Sequence, residues 1–83
     1  MKKANGLEEF YSRTMGNESC ELFVDKSGNP TLDYPHVHVV HHGSGTVDVI
    51  ASSSRGHHVW RTTLNKPSGN EVNSVVKKAQ SYL

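Results

Sequence analysis

The hydrophobic period of the chain changes twice. Near the start, Leu7, Phe10, Tyr11 and Thr14 recur at the i, i+3, i+4, i+7 spacing of one helix face, with Asn5 placed to cap it and Glu8 three residues later. This pattern predicts a helix over about 5–15 that stops near Gly16. From Cys20 onward the period falls to two, and alternating runs predict strands over about 20–25, 36–42, 46–52 and 57–64. Turn-forming segments separate them: the long stretch from Lys26 to Pro35, then Gly43-Ser44-Gly45, then Ser53-Ser54-Arg55-Gly56. After Pro67 the period returns to 3.6. Ser68 and Glu71 make a capping box, and Val72, Val75, Val76, Ala79 and Leu83 trace one stripe of a helix over about 69–82.

That order of elements predicts a single α+β domain over 1–83: an N-terminal helix, an antiparallel meander of three or four strands, and a C-terminal helix. Strand residues alternate between faces, so Val37, Val39, Val47, Val49 and Ala51 share one side, which both helices must cover. Trp60 and Leu64 are expected to join them. If the Gly-Ser-Gly turn pairs His42 with Thr46, then His38 faces Ile50 and His36 faces Ser52 on the opposite side. Continuing the meander puts His57 beside Ser52, Val59 beside Ile50 and Arg61 beside Asp48. The expected working surface is this outer face, made of His36, His38, Val40, Asp48, Ile50, His57, Val59 and Arg61.

Composition narrows the classes of function. The formal charge is +1, from nine Lys/Arg against eight Asp/Glu, a field too weak for a dedicated DNA-binding protein. Full protonation of the six histidines would raise it to roughly +7 in mild acid. The lone Cys20 has no partner for an intrachain disulfide, and no run is apolar enough to be a signal h-region or a membrane span. A cytoplasmic protein, with no membrane partner, is the expectation.

Three kinds of chemistry compete for the outer face. Val40, Ile50 and Val59 framed by histidines make a semi-apolar surface suited to a protein partner or a second copy, which predicts a non-catalytic interaction module. The alternative is a small metal-independent ribonuclease in which His36 or His38 exchanges protons with His57 while Arg61 steadies the phosphorane. A third possibility is a binding domain for metal or RNA. His36-Val37-His38 places two imidazoles on one side of a strand, so that His57 would complete a zinc site. The histidine-triad hydrolase motif requires a histidine at position 40, where Val40 stands. The helix-strands-helix order resembles double-stranded RNA-binding domains, but the start of the last helix holds Ser68, Gly69, Asn70 and Glu71 rather than basic residues.

Overall fold

In a computed structural model that describes residues 1–83, seven elements follow one another along the chain. They are β1 (Lys2–Lys3), α1 (Leu7–Met15), β2 (Cys20–Val24), β3 (His36–His41), β4 (Thr46–Ser54), β5 (His57–Asn65) and α2 (Gly69–Gln80). The strands form one five-stranded sheet in the order β1-β2-β3-β4-β5, with β1 parallel to β2 and every other pair antiparallel. The α+β class, the meander and the order helix, strands, helix match the periodicity. The parallel strand β1 does not follow from it, because two lysines carry no alternation to read.

Both helices lie on one face, α1 against β2 and α2 against β3 and β4. Between them and the sheet sits a core that includes Phe10, Leu22, Val24, Val37, Val39, Val47, Val49, Val72 and Val76. The second helix starts as its capping box predicts, with the Ser68 side chain accepting from the Glu71 backbone N–H at 3.1 Å. The first helix does not use Asn5 and Glu8 as a box. Gly6 is its N-cap, and Glu9 reaches back to accept from the Asn5 N–H. Gly69 lets α2 start close to α1, since a Cβ there would lie 3.1 Å from the Tyr11 ring, tighter than ordinary van der Waals contact.

The β3–β4 register follows the turn chemistry: His38 is opposite Ile50 and His36 opposite Ser52. Gly43 and Gly45 both take positive φ to close that turn. The β4–β5 register departs from expectation. The strands continue to Ser54 and resume at His57, so the turn is two residues long rather than four, and irregularities follow at Ser52 and Ser54. The regular ladder is displaced by two residues as a result, and by one at the irregular Ser52. Ile50 faces Arg61 rather than Val59, Asp48 faces Thr63 rather than Arg61, and Ser52 faces His58 rather than His57. Trp60 points to the core side opposite Ala51, but it is only half-buried, stacked on Tyr82 with centroids 5.5 Å apart, because α2 lies over β3 and β4.

Candidate functional site

The face away from the helices is built in rows across the sheet. The middle row runs Phe23, His38, Ile50, Arg61, and the next runs Lys3, Glu21, Val40, Asp48, Thr63. Strand β2 contributes Glu21 and Phe23 because Cys20, Leu22 and Val24 turn to the core. The alternation of that run already contained both residues. Their place beside the histidines depends on β2 pairing with β3 across the loop 25–35.

His38 lies at the centre of the strongest cluster. Its ring stacks on Phe23 with centroids 4.2 Å apart and planes 4° from parallel, and its Nε2 is 3.0 Å from Glu21 Oε1. Lys3 Nζ stands 5.7 Å from the Phe23 centroid, in cation–π range. Burial holds the His38 pKa below the ordinary histidine value against the opposing pull of the Glu21 carboxylate. Neutral His38 therefore donates Nε2–H to Glu21 at physiological pH.

This shift carries a sign for stability. A base whose folded pKa is depressed is stabilising above its unfolded pKa of about 6.5, and that contribution is lost as pH falls through the folded value. The melting temperature should therefore decline from pH 7 toward 5.5, and His38→Phe should flatten the decline. An unchanged slope in the variant would remove His38 as the cause. By NMR titration, Glu21→Gln should push the His38 midpoint further down, since it removes the charge that favours the imidazolium.

The other sequence-predicted residues separate. His36 is on the outer face by parity yet only 4% exposed. Tyr34 stacks over it at 4.3 Å, Phe23 meets it edge-on at 5.1 Å, and its Nδ1 lies 2.9 Å from the Asp33 carbonyl. It is a covered structural histidine rather than a surface group. Val40, at 6% exposure, is likewise buried beneath its neighbours, while Ile50 is half-buried and Val59 is 44% exposed at the margin. Asp48 does not pair with Arg61: its Oδ1 accepts from the Thr63 hydroxyl at 2.6 Å and its Oδ2 lies 2.9 Å from His42 Nε2. The Thr63 hydrogen bond, then His42, hold its carboxyl below the usual range.

His57 is at the far end of the β4–β5 hairpin, opposite Ser54, with its Nδ1 2.8 Å from the Ser54 hydroxyl. It is not a neighbour of His36 and His38. No three His, Cys, Asp or Glu side chains gather into a metal-ligating group, so the expected zinc arrangement of His36, His38 and His57 does not assemble. The proton-transfer pair expected of a nuclease is separated for the same reason. Cys20 is buried with its thiol pKa raised by burial, as suits a packing residue and not a nucleophile.

No family model matches this chain, and neither the curated proteins nor the solved structures hold a match. No helix is long and apolar enough to cross a membrane.

Proposed function

We propose that this protein is a non-catalytic interaction module that docks a protein partner through the outer face of its sheet. One observation carries the reading: both helices pack on the same side, so no helix covers the other side, where Phe23 and Ile50 are half-buried and Val59 is exposed at the margin. An uncovered sheet face with apolar residues at its centre and polar residues at its rim has the anatomy of an interface. The rim carries both signs of charge, Lys3 with Glu21 at one side and Arg61 with Asp48 at the other. A flat partner surface with an apolar centre and a mixed-charge border complements it.

Ile50→Lys should leave the circular dichroism spectrum and melting transition close to wild type, because the side chain is half-buried on the face away from the core. It should weaken partner binding by at least tenfold, the cost of a charge in a desolvated interface centre. Full retention of binding by both Ile50→Lys and Val59→Lys would move the site off this face.

The ribonuclease reading retains one supporting observation, a neutral imidazole at His38 oriented by the Glu21 carboxylate. Its second proton-transfer group would then come from elsewhere than His57. RNA incubated with the protein in EDTA stays intact if the face only docks a partner. Cleavage that disappears in His38→Ala would replace the first reading with this one.

A further inference from the structure

The two edges of the sheet are treated differently by the fold. Along β2, the Lys2–Lys3 strand pairs with Cys20 and Glu21, and the returning loop closes the remainder through the Val24–Pro30 bridge and the Thr31 N–H to Phe23 carbonyl bond at 3.0 Å. That edge is covered along its length. The other edge is β5, nine residues long, with β4 on one side and nothing on the other. It has no proline within it, and its only irregularities lie at the end near Ser52 and Ser54. The part that remains regular runs from Trp60 to Asn65. Open edges of this length are templates for another strand unless blunted by charge, proline or bulges.

We propose that β5 pairs with the β5 of a second copy, antiparallel about Thr62, joining two five-stranded sheets into one continuous sheet. Self-complementarity selects the second copy as the occupant. Centring the pair on Thr62 sets Thr62 against its own counterpart, Trp60 against Leu64, Arg61 against Thr63 and Val59 against Asn65. Core-side Trp60 then meets core-side Leu64, outer-face Arg61 meets outer-face Thr63, and the one charged side chain in the span faces a hydroxyl. Centring on Arg61 instead would oppose two guanidinium groups, and centring on Thr63 would bring Trp60 against Lys66.

The helices leave room for this. Since α2 lies over β3 and β4, its axis stands about two strand spacings from the proposed dyad, so the two copies of α2 would be ~19 Å apart, well beyond the 8–10 Å of packed helices. The gap is where Trp60, Leu64 and Tyr82 sit half-exposed or exposed, and Leu64 of the second copy would cover Trp60. The pairing is independent of the outer face, which it would extend side by side.

The full-length chain should show, by sedimentation equilibrium over a rising concentration series, a mass moving toward twice 9.2 kDa. Register is read by oxidative cross-linking. Thr62→Cys should give at least tenfold more disulfide-linked dimer than Arg61→Cys or Thr63→Cys, whose own counterparts are staggered, while native Cys20 is buried and does not compete. A monomer at every concentration overturns the proposal, and leaves the outer-face reading to its own Ile50→Lys test. Cross-linking through Ile50→Cys without Thr62→Cys also overturns it, placing the second copy on the face instead of the edge.

Discussion

Phe10→Ala should destabilise the fold by about 3 to 5 kcal/mol, the cost of emptying a fully buried aromatic site. Phe10 is 0% exposed and is the only fully buried residue of α1, so it is the main anchor of that helix to the sheet, with Leu7 packed partly buried against the same core. Its carbonyl also lies 3.8 Å from Cys20 Sγ at the start of β2. A domain of this size has a total stability of roughly 4 to 12 kcal/mol, so the variant should be largely unfolded or close to it. Urea titration by circular dichroism measures this directly. A midpoint within experimental error of wild type would show that α1 is not held by this contact.

His41→Ala should cost about 2 to 4 kcal/mol, through lost packing and two lost hydrogen bonds. This histidine falls on the core side of β3 and is 1% exposed. Its Nδ1 lies 2.7 Å from the Glu18 carbonyl, and its Nε2 accepts from the Gly45 N–H at 3.1 Å. That network assigns the neutral tautomer with the proton on Nδ1. One ring thus ties the loop after α1 to the β3–β4 turn, and the turn sets the register that puts His38 opposite Ile50 on the outer face. Amide hydrogen exchange at Gly45 should accelerate in the variant beyond the change seen at a distant core amide such as Val49. Equal acceleration at both would make the loss global and deny His41 a local role in the turn.

Outer-face function and core stability are separable because consecutive strand residues point in opposite directions. Val49 and Ile50 are neighbours in the chain, yet one is fully buried beneath the helices and the other lies half-buried on the outer face. Substitutions at Ile50, Val59 and Arg61 should therefore report on binding with little effect on folding, and those at Phe10 and His41 should do the reverse.

The sequence by itself determined what depends on near neighbours. Ser68 and Glu71 marked the start of α2, the alternating valines marked β3 and β4, and Gly43 with Gly45 fixed the tight turn and hence the pairing of His38 with Ile50. Each of these is set by contacts within a few residues, where spacing and turn chemistry act. The tertiary structure decided what lies across longer gaps. It placed Glu21 and Phe23 beside His38, covered His36 with Tyr34, closed the β2 edge with Lys2–Lys3 and Pro30, and moved Arg61 from Asp48 to Ile50. Alternation fixes which face a residue takes but not which residue it meets, because a hairpin that closes two residues later preserves every face while displacing every partner.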